Sequence, residues 1–444
     1  MRLSALSFPL TCWRHFFLLT AHNNINSVIT MLLASLHCLS SSSSIVAYCY
    51  YYSLSNNRRF SSFSSKTRTR SSQLCRASLI TSPDSFEVGK LIGSYGFMNV
   101  TSYNSGMDPM MDYSSLGQLK VQDVGEGGVR IRLYEGRIAQ GSLRGTQVVF
   151  KVYPGQRAAG IEADMMAANE LNAHAVLQSS SKGVCQNLLM LLGGFETKTG
   201  EQWLAFRNDG KYSAADYAKV VSERISKSRS LGENSWNIFE RQEIISRKRY
   251  FIIKLLRGAI SGLAYMHDHD RLHQSLGPSS IVLNTIREKD GAYLIPRLRD
   301  LAFSVDIRIS RLEEGLGTLS EGLWRRATAA GAFTLLEKRA FGIADDIYEA
   351  GLLFAYLAFV PFCEAGIIDS LSLQRLFEST FKLDLEAARE YCLADDRLEE
   401  AVKFLDFDDG AGWQLLQAML NPDFRKRPIA KAVLNHRFMT GAAP

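Results

Sequence analysis

Between Ile252 and Leu283 the chain changes its period, and that change constrains the fold more than any other feature. Ile252, Leu255, Leu256, Ala259, Leu263 and Met266 recur at helical spacing up to His267. Then comes LHQSLGPSSIVLN, residues 272–284, a loop with Gly277 and Pro278 that runs into the apolar triplet Ile281, Val282 and Leu283. Helix and strand therefore follow one another within a single short stretch, so the chain mixes both. With 444 residues, 46% of them apolar, the chain is long enough for two lobes. The net charge of +6 does not mark a nucleic-acid binder, because residues 1–76 hold eight Lys or Arg and no acid, and the remainder is slightly acidic. Three of the seven cysteines, Cys185, Cys363 and Cys392, lie far apart without metal-ligand spacing and read as buried thiols.

Ahead of the loop, residues 119–211 read as a small, strand-rich lobe. VQDVGEGGVRIRLYEGRI from Val121 and GSLRGTQVVFKVYPG alternate apolar residues between turn signals. Val148-Val149-Phe150-Lys151 puts one lysine in an apolar strand. Nineteen residues on, Glu170 lies on a helix whose Met166, Leu171, Ala175 and Leu177 share a face. QNLLMLLGGFETKTGEQWLAF adds two strands about Lys198-Thr199-Gly200 and ends at Phe206-Arg207. Residues 212–440 read as a larger helical lobe, with 222–249 as a polar insertion. Within it, ADDIYEAGLLFAYLAF reads as a core helix, since Glu349 and Glu364 bracket an apolar run too short to span a bilayer.

Together these stretches resemble a eukaryotic-type protein kinase, whose catalytic loop reads H-R-D-L-x-x-x-N. His273, Leu276 and Pro278 stand at the family spacing, but Gln274 replaces the Arg, Ser275 the Asp, Gly277 the Lys and Ser280 the Asn. The resemblance implies a bilobal α+β fold that binds ATP and Mg2+. On it, VVFK matches V-A-I-K, so Lys151 is the nucleotide lysine, paired with Glu170 or alternatively Glu162. Gly125, Gly127 and Gly128 are its candidate glycine-rich loop, lacking the third glycine, and Phe206 screens the back of the pocket. Asp300-Leu301-Ala302 matches D-F-G, which makes Asp300 the metal ligand and puts a Cβ where the family's glycine adopts positive φ. Asp346, Tyr348, Gly351 and Arg427-Pro428 match the large lobe, whereas no A-P-E follows the activation segment.

Residues 1–76 combine SSSSS at Ser40–Ser44 with RRFSSFSSKTRTRSS from Arg58 and no acid, the composition of a plastid transit peptide that starts at Met1 or Met31. Residues 77–118 lack periodicity and read as linker. The arm, VVFKVYPGQRAAGIEADMMAANELNAH and CQNLLMLLGGFETKTGEQWLAF resemble the kinase-containing type of plant plastid-lipid-associated (fibrillin) protein. That resemblance implies a plastid location on plastoglobules. Three functions follow: a nucleotide-binding pseudokinase acting as scaffold or regulator, an active atypical Ser/Thr kinase, or a structural domain that binds no nucleotide. The emptied loop favours the first.

Overall fold

The computed structural model describes residues 79–97, 129–179, 183–230, 238–314 and 320–441. The arm 1–76 and the glycines Gly125, Gly127 and Gly128 lie outside the described residues.

The small lobe is a five-stranded antiparallel sheet, β1 (Phe86–Phe97), β2 (Val129–Ile138), β3 (Gln147–Tyr153), β4 (Leu191–Glu196) and β5 (Gln202–Arg207), in the order β1-β2-β3-β5-β4. Helix α1 (Gln156–Gln178) joins β3 to β4. Val148, Phe150 and Val152 of β3 are buried, and the Phe150 ring meets Phe86, Phe195 and Trp203 with centroids 5.5–6.2 Å apart. Edge-on contacts of this kind hold a small sheet core where area alone is scarce.

The reading of 77–118 as linker is corrected at its start. Phe86 pairs with Ile138 and Phe97 with Val129, so β1 is a full edge strand. Just before it, the Ile80 amide donates to the Leu192 carbonyl and the Ile80 carbonyl accepts from the Gly194 amide, at 3.0 and 2.9 Å. A Cβ at Gly193 would stand 2.0 Å from the Ile80 carbonyl oxygen, so this crossing demands glycine there.

The large lobe packs α2 (Ala214–Ser230), α3 (Ile238–Asp268), α4 (Ile309–Glu314), α5 (Glu321–Ala329) and α6 (Leu335–Phe359) with further helices towards the C-terminus. Its main core joins Phe251, Leu255, Leu256, Ile260 and Leu263 of α3 to Ile347, Phe354 and Phe359 of α6. The described residues of the expected insertion 222–249 lie in two helices. Residues 222–230 close α2 and residues 238–249 open α3, so these polar residues are the ends of two helices. Among the described residues no helix is long and apolar enough to cross a membrane, and Cys185, Cys363 and Cys392 are free thiols.

Candidate active-site cleft

The site is built where β3, α1 and the segment after the 297–298 strand converge. Lys151 projects from β3 with 4% of its surface exposed, and its Nζ donates to Glu170 Oε2 at 2.7 Å and Asp300 Oδ1 at 2.8 Å. Glu170 is thus the α1 carboxylate that pairs with the lysine. It also accepts from the Tyr153 hydroxyl and, at 3.2 Å, from the Leu301 amide. Burying these charges is tolerable only because each has several partners.

Electrostatics follow from that arrangement. Burial by itself would push Asp300 upward, but Lys151 and then Arg299 outweigh it and hold the carboxyl at about 2. Burial works against the Lys151 cation too, and Asp300 and Glu170 more than compensate, keeping it above its ordinary value. His174, one turn beyond Glu170 and packed edge-on against Phe206 with centroids 5.1 Å apart, is driven down to about 3 by burial and then by Lys151. It is therefore neutral at physiological pH.

The segment after the 297–298 strand is tied to α1. Asn169 Nδ2 donates to the Ala302 and Ser304 carbonyls, each at 2.8 Å. Asp300 itself is left-handed, with φ 67° and ψ 54°, while Ala302 lies in the 3-10 turn Leu301–Phe303 at negative φ. The Cβ of Ala302 therefore costs nothing in this conformation, and the strained residue is Asp300.

In the loop, the scaffold is intact and the reactive positions are turned inward. Asp346, fully buried on α6, accepts from the His273 amide at 2.8 Å, the Gln274 amide at 2.9 Å and Gln274 Nε2 at 3.0 Å. His273 Nε2 lies 3.0 Å from the Arg299 carbonyl, so that nitrogen carries the proton and donates. Ser275 Oγ donates to the Asp300 carbonyl at 2.8 Å. Ser280 Oγ accepts from the Gly277 amide at 2.9 Å and donates to the Gly277 carbonyl at 2.8 Å. No carboxylate stands at Ser275 and no cation at Gly277.

Helix α5 is fastened to α6 by an ion pair. Arg326 of α5 grips Asp345 through two bonds of 2.5 and 2.9 Å, and Gln274 Nε2 shares that carboxylate at 3.1 Å. Arg427 donates to the Asn421 and Ala344 carbonyls at 2.7 and 3.1 Å and lies over the Tyr348 ring.

Several residues of the site, Tyr153, His174, Arg299 and above all Tyr95, escaped the sequence reading. Tyr95, near the end of β1 opposite Ile131, donates its hydroxyl to Asp300 Oδ1 at 2.7 Å. Lys151 Nζ and the Arg299 guanidinium each lie 5.8 Å from its ring centre. The strand supplies the signal in hindsight. Gly93 to Val100 fits G-x-G-x-x-G-x-V with Tyr95 and Met98 at the second and third glycines. Gly93 to Phe97 of that stretch are the last residues of β1, which pairs with β2 beside the strand that carries Lys151.

No family model matches the chain. A stretch of 80 residues is 31% identical to Calcium-dependent protein kinase 4 of Plasmodium berghei and 32% identical to that of Plasmodium falciparum, covering 17% of this chain and 15% of each kinase. The structure is similar to that of a Stt7 homologue from Micromonas algae, solved after soaking with ATP, with a TM-score of 0.50 and 16% identity over 86% of this chain and 98% of that one. The chain has a protein-kinase-like bilobal fold, a small antiparallel sheet lobe on a larger helical one.

Proposed function

We propose that this chain is a nucleotide-binding pseudokinase that acts as a scaffold or regulator. The observation that carries the reading is a contrast within one cleft. Lys151 is set between Glu170 and Asp300 as a nucleotide lysine would be, while the Ser275 hydroxyl is spent on the Asp300 carbonyl. A positioned base contributes about 10²- to 10⁴-fold to a rate. Loss of one preorganised charge contact to a transferring group costs roughly 3 kcal/mol. With the Asp, Lys and Asn of the loop all replaced, transfer is expected to be very slow even after allowing for non-additivity.

A purely structural domain is the second reading, and the hydroxyl of Tyr95 on Asp300 favours it. Titration of the protein with ATP separates the two. Binding that is weakened by both Lys151→Met and Asp300→Asn supports the nucleotide reading, whereas no binding, or binding that neither change affects, supports the structural one. The plastid location and a kinship with kinase-containing fibrillin proteins belong to the same proposal and rest on residues 1–76 and the small-lobe sequence. Those 76 residues fused to a fluorescent reporter should carry it into plastids, and diffuse cytosolic fluorescence would refute that part.

A further inference from the structure

We infer that the cleft takes its nucleotide without a divalent metal, because Tyr95 occupies the place on Asp300 that a metal would need. This rests on the nucleotide-binding reading above and adds the form in which the ligand enters.

The donor set does not fit a magnesium ion. Mg2+ requires near-octahedral oxygen ligands, usually one or two carboxylates together with phosphates and water. Asp300 is the acid at the place expected for it, and the neighbouring carboxylate, Glu170, is taken up by Lys151, Tyr153 and the Leu301 amide. Its Oδ1 accepts from both Tyr95 and Lys151, and its Oδ2 faces Arg299 Nε at 3.3 Å. A metal at that carboxylate would displace the phenol and sit between two cations. The second expected ligand is Ser280, whose hydroxyl is closed onto the Gly277 backbone. Among the described residues no group of three or more His, Cys, Asp or Glu could hold a metal ion.

The same geometry supplies a substitute for the metal's charge. Lys151 and Arg299 bring two fixed cations to the mouth of Asp300, and the Arg299 side chain keeps a quarter of its surface exposed. Phosphates entering beneath β1 would meet protein charge, with the Tyr95 ring as one wall. The price is that the β1 hairpin must lift its phenol away to admit a long phosphate chain. A hydrogen bond to a charged group is worth about 1.5–3 kcal/mol. If that bond holds the hairpin closed, apparent affinity falls by roughly ten- to hundredfold relative to an open cleft.

The test is calorimetric titration of the full chain with ATP, in magnesium chloride and again in EDTA. It is repeated on Tyr95→Gly, which restores the glycine of the pattern, and on Tyr95→Phe, which keeps the ring in the hairpin and removes only the hydroxyl. For the unaltered chain the two affinities should agree within about twofold. In Tyr95→Gly, magnesium should tighten binding about ten- to hundredfold, with a smaller gain in Tyr95→Phe. Magnesium-dependent binding by the unaltered chain, or magnesium-independent binding by both variants, would overturn the inference and leave the nucleotide reading intact. If the unaltered chain binds no ATP while the variants bind it with magnesium, Tyr95 is the block and the nucleotide reading fails for the native protein. No binding by any of the three overturns both.

Discussion

On the small-lobe side of the cleft, Lys151, Glu170, Tyr153 and Tyr95 form one connected network around Asp300. On the large-lobe side, Gln274 bonds to the scaffold carboxylates Asp345 and Asp346, and the Ser275 and Ser280 hydroxyls donate to backbone carbonyls. The difference separates two jobs that a kinase loop combines. Asp346 and His273 shape the loop, and both are present with their partners satisfied. The positions that would act on a substrate carry short hydroxyls or no side chain, and the hydroxyls stabilise the backbone beside them. A buried hydroxyl needs a partner in any case, so once the reactive group is gone the local backbone is its nearest acceptor.

The largest expected effect lies on the large-lobe side. Asp346→Ala would leave the amides of His273 and Gln274 buried without an acceptor, and should cost about 3–5 kcal/mol in chemical denaturation. A loss below about 1 kcal/mol would mean that the loop is held by something other than Asp346. On the small-lobe side, Lys151→Met strands two buried carboxylates and should cost about 3 kcal/mol. Adding Glu170→Gln to it should recover part of that loss, since the two changes touch one network. Strict additivity in the double-mutant cycle would break the picture of a connected set.

His174 gives the comparison a pH dependence. Its folded value is depressed to about 3, so the unfolded chain binds the extra proton first as pH falls below about 6.5. The neutral imidazole therefore contributes stability that is present above about 6.5 and is lost as the solution is acidified. Between pH 6.5 and 5 this amounts to about 2 kcal/mol. His174→Leu should flatten that slope, and an unchanged slope would place the titration elsewhere. The smallest effect is expected for Asn169→Ala, about 1 kcal/mol, seen as faster amide exchange in the Leu301–Phe303 turn.

Much of this cleft was legible because its residues announce themselves locally. A lysine alone in VVFK, a glutamate on the next helix and an aspartate before an apolar pair are short-range patterns, and the structure brings Lys151, Glu170 and Asp300 within 2.8 Å contacts. The strand β1 was not legible. Gly89, Gly93 and Gly96 interrupt it, and Val88, Leu91 and Ile92 are 43–53% exposed on a sheet edge, so no alternation of buried and exposed residues survives to be read. Tyr95 could be assigned only through its pairing with β2 and its reach to a residue 205 positions away. The polar run 222–249 misled for another reason. Charged residues crowd the described ends of both helices around the few that pack, such as Ile225, and such a segment looks like an insertion until its backbone is seen.

The account's central claim, that the cleft holds a nucleotide set without a transfer apparatus, is tested most directly by following the γ-phosphate of labelled ATP. The unaltered chain should transfer no more label, to itself or to a general protein substrate, than the Lys151→Met control. Restoring Ser275→Asp, Gly277→Lys and Ser280→Asn together with Tyr95→Gly should raise transfer measurably above that control. Turnover by the unaltered chain on the order of 1 s⁻¹, abolished by Lys151→Met, would contradict the account and leave an active atypical kinase in its place.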